Sequence, residues 1–215
     1  DYALGRIFGC LRENDLFKNT WIIFTADHGE MLGDHHMSQK NLFFEGSAHV
    51  PLLIMPPQGR SLPQNISVEA PTDLVDLYPT ILAMAGLSSP VSVSGRNLLE
   101  PVPMDRIFFG NSLNRNFCVM EEKVKLVYSA VGDHVLLFDL NTDPMEQHNL
   151  AEDPAWQERK AKLWKLLLEH TAQYTPEALD EKGQFLTYEA PHFPGDVPGR
   201  WFGFHYHDYS VDTFH

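Results

Sequence analysis

Asp27 and His28 stand side by side in Thr25-Ala26-Asp27-His28-Gly29-Glu30, directly after the apolar run Trp21-Ile22-Ile23-Phe24. A carboxylate and an imidazole at a strand end can both turn toward one divalent cation, and a glycine after them lets the backbone swing away. Taken alone, Asp-His-Gly more often marks a turn, with the Asp as a cap and the His in an ordinary hydrogen bond. The residues that follow change that weighting. His35, His36, Lys40, Glu45 and His49 all fall within GEMLGDHHMSQKNLFFEGSAHVPLLI, ahead of the next apolar run. An ammonium such as Lys40 can hold an oxyanion as a point charge, although in isolation it reads as a surface lysine. A histidine here can donate to a substrate oxygen or protonate a leaving group near neutral pH. His35 is the preferred candidate, with His36 structural. His49, just before Val50-Pro51, more often packs at a sheet edge, and beside a metal it becomes a candidate contact to metal or substrate.

The elements that must position these groups read as alternating helix and strand. Leu4, Ile7, Phe8 and Leu11 fall at helical spacing, and Asn14-Asp15 breaks that helix before the Trp21–Phe24 strand. Val50-Pro51-Leu52-Leu53-Ile54-Met55 reads as a second strand of a covered parallel sheet, with the chemistry in the polar loop between. Strand ends of this kind are where open α/β sheets place their ligands. Pro71-Thr72-Asp73 opens a helix through Leu74, Leu77, Ile81, Leu82 and Met84, with Pro79 bending or restarting it and Gly86 ending it.

From about residue 101 the texture changes. Ile107–Phe109, Phe117–Met120, Val124–Tyr128 and Val135–Phe138 are short strands separated by turn residues, as in a small antiparallel sheet. A helix should follow, capped by Asp153 with Pro154 at its first position, and Leu163, Leu166, Leu167 and Tyr174 on its buried face. The expected organisation is an α/β core over residues 1–100, a small α+β subdomain over 101–174, and an extended tail over 175–215 rich in aromatics and His. In that tail His205, His207, Asp208, Asp212 and His215 form a second, weaker candidate metal cluster.

Composition narrows the function classes. With 215 residues, 43% hydrophobic, the chain can bury a core. A formal charge of −13 argues against nucleic acid as a partner, since phosphate backbones are bound by clustered Lys and Arg. No apolar run is long enough to span a membrane. Cys10 and Cys118 are too few for a disulfide framework and read as buried thiols or one bridge, and Asn65-Ile66-Ser67 matches the glycosylation acceptor pattern. Neither decides the compartment.

The order N-T-W-I-I-F-T-A-D-H-G-E, then L-G-D-H, then K-x-x-x-F-E-x-S-x-H-V-P-L-L-I resembles the second half of the sulfatase family in the alkaline phosphatase superfamily. The resemblance continues through Ala70-Pro71-Thr72-Asp73, Asp76-Leu77-Tyr78-Pro79-Thr80-Ile81 and Ala85-Gly86. It then takes in Lys123-Val124-Lys125-Leu126, Leu137-Phe138-Asp139-Leu140, Asp143-Pro144 and Glu146-Gln147-His148-Asn149-Leu150, and so covers residues 1 to about 170. It implies part of an alkaline-phosphatase-like α/β/α sandwich with a small C-terminal antiparallel sheet plus helix. It also implies a metal-dependent sulfuric ester hydrolase in which Asp27 and His28 ligate one divalent metal and Lys40 contacts the transferred sulfate. The family points to calcium, whereas the His28 imidazole, where many members have Asn, admits manganese or zinc beside magnesium. A sulfate ester, with a sulfated carbohydrate suggested by the aromatic tail, is the expected substrate.

Family members also carry a formylglycine, made from Cys or Ser in a C/S-x-P-x-R motif, and further acidic metal ligands, all well upstream of the matched region. Cys10 is followed by Leu-Arg-Glu-Asn and Cys118 by Val-Met-Glu-Glu, so neither fits, and Ser89-Pro90 puts the proline one place early. The expectation is therefore a C-terminal part, inactive without an N-terminal portion of the same protein. Two alternatives stand beside it: a phosphonate or phosphate ester hydrolase of the same superfamily, and a non-catalytic domain that kept the fold.

Overall fold

The computed structural model describes residues 1–37, 39–40, 43–60 and 66–189. In chain order its helices and strands are α1 (Tyr2–Glu13), β1 (Ile22–Thr25), α2 (Glu45–Ala48), β2 (Leu52–Met55), α3 (Leu77–Met84), β3 (Phe108–Ser112), β4 (Asn116–Glu121), β5 (Val124–Ser129), β6 (His134–Asp139) and α4 (Gln157–Tyr174). Two compact units emerge, and they do not follow chain order. One comprises Asp1–Asp27 and Val50–Met104, the other His28–His49 and Asp105–His215.

In the first unit β1 and β2 pair antiparallel, with Ile22 opposite Met55 and Phe24 opposite Leu53. This corrects the parallel pairing expected from the sequence. Among the described residues of the polar stretch between them no helix is longer than the four residues of α2, and a parallel pair needs a longer crossover. The strands are also less covered than their apolar runs suggest, because Phe24, Leu53 and Met55 on one face are exposed. Among the described residues of this unit, Ala70, Asp76 and Thr80 are the ones that are buried.

Those two polar groups organise α3. The Asp76 carboxylate accepts from the Asp73 amide (2.9 Å) and the Arg96 amide (2.7 Å), and Asp73 in turn accepts from Val75 to complete a capping box. Thr80 donates to the Asp76 carbonyl (2.6 Å) and accepts from the Leu98 amide (2.9 Å), which ties residues 96–98 to the helix. Gly95 fits there because an added Cβ would lie 2.1 Å from the Val75 carbonyl oxygen. Pro79 sits inside the first turn of α3, where its missing N–H costs nothing, and Gly86 at φ +72° ends the helix as expected.

The second unit has three layers. Strands β3-β4-β5-β6 form an antiparallel meander, as the turn-punctuated sequence indicated. Alternation along β4 and β5 sends Phe117, Val119, Val124, Leu126 and Tyr128 to one face, where Leu163 and Leu167 of α4 complete the core. The opposite face presents Cys118, Val127, Leu136 and Phe138, and there Met31, Met37 and Phe44 of the 28–49 segment cover it. The start of α4 is as expected: Asp153 accepts from the Ala155 amide (2.8 Å) and Pro154 opens a short 3-10 turn that leads into the helix. Tyr174, expected on the buried face, is exposed in the last turn of the helix.

Both cysteines are free thiols, and Cys10, expected to be buried, is exposed on α1. Burial pushes the Cys118 thiol up to about 12. The tail cluster from His205 to His215 and the acceptor residue Asn65 lie outside the described residues. Among the described residues no helix is long and apolar enough to cross a membrane.

Leu163 is fully buried between α4 and the sheet. Leu163→Ala should lower stability in urea unfolding by about 2–5 kcal/mol, the range for a buried Leu deletion. Tyr174→Ala should stay within about 0.5 kcal/mol of the parent.

Candidate functional site

Asp27 occupies an exposed bend two residues after the end of β1, and His28 follows it half-buried. The His28 Nδ1–H donates to the Gly29 carbonyl oxygen (2.8 Å). In the neutral ring that bond places the lone pair on Nε2, the nitrogen through which such an imidazole can ligate a metal. Carboxylate and imidazole therefore fit a divalent cation in donor type, as two of the four or more ligands such an ion takes. Among the described residues no group of three or more His, Cys, Asp or Glu gathers around a common point.

After His28 the chain runs close to α2. Gly29 donates to the Ser47 carbonyl (2.7 Å), and a Cβ on Gly29 would lie 2.1 Å from the Gly46 carbonyl oxygen. Glycine is required there by close approach. The segment then turns back on itself through Met31 N–H to Gln39 carbonyl (3.0 Å) and Gly33 N–H to Met37 carbonyl (2.8 Å). Leu32, His35, His36 and Gln39 all have positive φ, between +50° and +71°. Non-glycine residues hold such angles when their surroundings determine them.

His35 is half-buried, with its ring stacked on Phe44 at 4.2 Å between centroids and 18° between planes. It also lines a cleft of about 200 Å3 with Asp34, Glu45 and Glu146. His36 is exposed. Lys40 is exposed in a bend of the same segment. His49 ends α2, largely exposed, with Nδ1 2.7 Å from a Glu45 oxygen. The segment thus carries His28, His35, Lys40 and His49 on a single loop fastened to one face of the small sheet.

The fastening is ionic. Lys125 Nζ, on a side chain 4% exposed, donates to the Phe43 carbonyl (2.8 Å), to Glu45 and to Glu146 (2.8 Å). The second Glu146 oxygen accepts from the Glu45 amide (2.7 Å). Burial pushes Glu45 up, but the Lys125 charge and hydrogen bond, then His49, outweigh it and hold this carboxyl below its ordinary range. For the more enclosed Glu146 burial wins, and its carboxyl is raised. Sequence reasoning gave Lys125 and Glu146 no role. The available signal was a lysine inside the apolar run Val124-Lys125-Leu126-Val127, at a position that alternation sends into a covered face.

A family model described as Sulfatase matches residues 1–87, which include Asp27, His28, Lys40 and the Glu45–His49 turn. Arylsulfatase K of Xenopus laevis is 34% identical over 171 residues, covering 70% of this chain and 31% of that protein. This chain belongs to the sulfatase family. The sulfatase chain spans about a third of the length of the curated relatives it matches. A phosphonate monoester hydrolase of Agrobacterium radiobacter is 32% identical, with a TM-score of 0.64 covering 84% of this chain and 41% of the other. A protein solved in complex with its substrate D-glucosamine-2-N,6-O-disulfate gives the same TM-score of 0.64 over 83% of this chain and 39% of its own. At 24% identity that last likeness speaks to fold alone, which is the alkaline-phosphatase-like α/β fold.

Gly29→Ala should drive the 28–30 segment away from α2 and speed amide exchange at Gly29's position relative to the parent. Gly5→Ala, with nothing within 4 Å of the added Cβ in α1, should leave that amide unchanged and raise stability by about 0.5–1 kcal/mol.

Proposed function

We propose that this chain forms part of a metal-dependent sulfuric ester hydrolase, in which Asp27 and His28 contribute to one divalent metal site and Lys40 contacts the transferred sulfuryl group. The observation that carries this reading is the family match across the segment holding all three residues. The pairing of a carboxylate with an imidazole whose Nδ1 is turned to the Gly29 carbonyl supports it from the chemistry of the donor set. When bound, the metal supplies Lewis-acid polarisation of the sulfuryl oxygens. Calcium is the first candidate, with magnesium, manganese and zinc to be weighed because one donor is an imidazole.

Lys40 is suited to the anion by its exposure, since an exposed ammonium can meet a ligand oxygen without first leaving a buried ion pair. His35 has the more constrained ring, stacked and half-buried, and it is the residue we assign to protonating the departing alcohol. His49, held through Nδ1 by Glu45, presents its other ring edge outward and is assigned to substrate contact. The remaining metal ligands and a formylglycine nucleophile belong, on this reading, to an N-terminal portion of the same protein. A sulfated carbohydrate is the substrate class we favour, because the aromatic residues of the tail sequence suit carbohydrate rings.

A second reading is a phosphonate or phosphate ester hydrolase. It is favoured by the 32% identity to a phosphonate monoester hydrolase, which approaches that to the arylsulfatase. Both ester classes place tetrahedral oxyanion charge where a cation and a lysine can meet it. Rates on sulfate, phosphate and phosphonate esters of the same alcohol, measured with the full-length protein, separate the two.

In that protein Lys40→Ala should lower kcat/KM for a nitrophenyl sulfate by about 100- to 1,000-fold, the scale of losing one oxyanion contact. Removing divalent ions with a chelator should abolish turnover, and adding one back should restore it. The 215-residue chain alone should show less than about a hundredth of full-length activity, because groups that act as a unit fail as a unit. Full activity in that chain would overturn the assignment of the nucleophile elsewhere.

A further inference from the structure

The buried ionic cluster of the small sheet lies outside the residues assigned to chemistry, yet every part of it acts on the loop that carries them. Lys125 uses three donors on three acceptors, the Phe43 carbonyl, Glu45 and Glu146, which is the full capacity of an ammonium. Glu146, itself at φ +55°, returns with its other oxygen to the Glu45 amide. Residues 43–45 are therefore gripped at two backbone groups and one side chain, all from β5 and the turn after β6. Lys40 lies three residues before this grip, and His49 is paired to the gripped glutamate itself.

A cluster of this kind is a poor source of net stability, because removing three charged groups from water offsets most of their mutual attraction. Its better-attested use is to fix one arrangement among several. The 28–49 segment needs such fixing. Its described residues contain little regular structure, a 3-10 turn and the four residues of α2, and four of the non-glycine ones sit at positive φ. Apolar contacts from Met31, Met37 and Phe44 are non-directional and tolerate sliding. Charged hydrogen bonds to named atoms do not.

We infer that Lys125 is a positioning residue of the enzyme: acting through Glu45 and Glu146, it sets where the loop bearing Lys40 and His35 stands on the small sheet. The inference rests on the assignment of Lys40 as the anion contact. Its partner residues have distinct parts. Glu45 transmits the placement along α2 to His49, and Glu146 prevents Glu45 from turning to solvent.

The test separates positioning from stability in the full-length, metal-loaded protein. Lys125→Met alone leaves the buried Glu146 and the half-buried Glu45 carboxylates facing each other and can unfold the sheet, so the decisive variant is the charge-free triple Lys125→Met, Glu45→Gln, Glu146→Gln. It should fold with a melting temperature near the parent's, while kcat on a nitrophenyl sulfate falls about a hundredfold, the scale of a roughly 1 Å misplacement, with KM much less changed. Amide exchange should quicken across residues 29–49 and stay unchanged in β4 and β5. Lys125→Arg should recover part of the lost kcat. In a Lys40→Ala background the triple substitution should cost much less than in the parent, since both act on one contact. A folded triple variant with parental kcat and exchange, or strictly additive losses with Lys40→Ala, would overturn the inference. Undiminished hydrolysis by Lys40→Ala alone would instead overturn the assignment of Lys40, and with it the route by which Lys125 is held to act.

Discussion

The buried Lys125 ammonium is shared between two carboxylates, and that constraint shapes the unit around it. A buried charge must keep its partners, so Glu45 has to stay on the sheet and the chain on both sides of it has to comply. Gly29 must pass within reach of Gly46, the turn around His35 must accept left-handed angles, and Phe43 must approach Gly110 so closely that a Cβ there would lie 2.3 Å from its ring. The cluster also holds one more carboxylate than ammonium. His49 Nδ1 lies 2.7 Å from the outer oxygen of Glu45, on the exposed side.

The two units differ in what holds them. The small-sheet unit has apolar side chains on both faces of β4, β5 and β6, one set against α4 and the other against the loop of residues 28–49. The β1–β2 unit is organised by hydrogen bonds among Asp73, Asp76, Thr80 and residues 96–98, while much of its apolar surface, from Phe24 to Ile81, faces solvent.

The sequence made some of this legible and hid the rest for physical reasons. The four strands of the small sheet were readable because each apolar run is short and closed by turn residues such as Asn114 and Gly132. The start of α4 was readable because Asp153-Pro154 states its cap locally. Strand direction in β1 and β2 was not, since apolar runs carry no sign of orientation. The motif around Asp27, His28 and Lys40 was visible as a pattern of residue types. The contacts that hold it were not, because Lys125 and Glu146 lie about 80 and 100 residues from Glu45 and no local periodicity links them. His35 shows the same limit: its type suggested acid–base chemistry, while its stacking on Phe44 and its left-handed backbone arise from packing alone.

The contrast between the two thiols has a use of its own. Cys10 is open to solvent on α1, whereas Cys118 is fully enclosed on the loop-facing side of β4, with burial holding its proton well beyond neutral pH. A thiol reagent therefore meets one cysteine in the native protein and a second when the covering loop or the sheet opens. The chain carries its own pair of chemical reporters, one that labels at once and one that times the opening of the small-sheet unit.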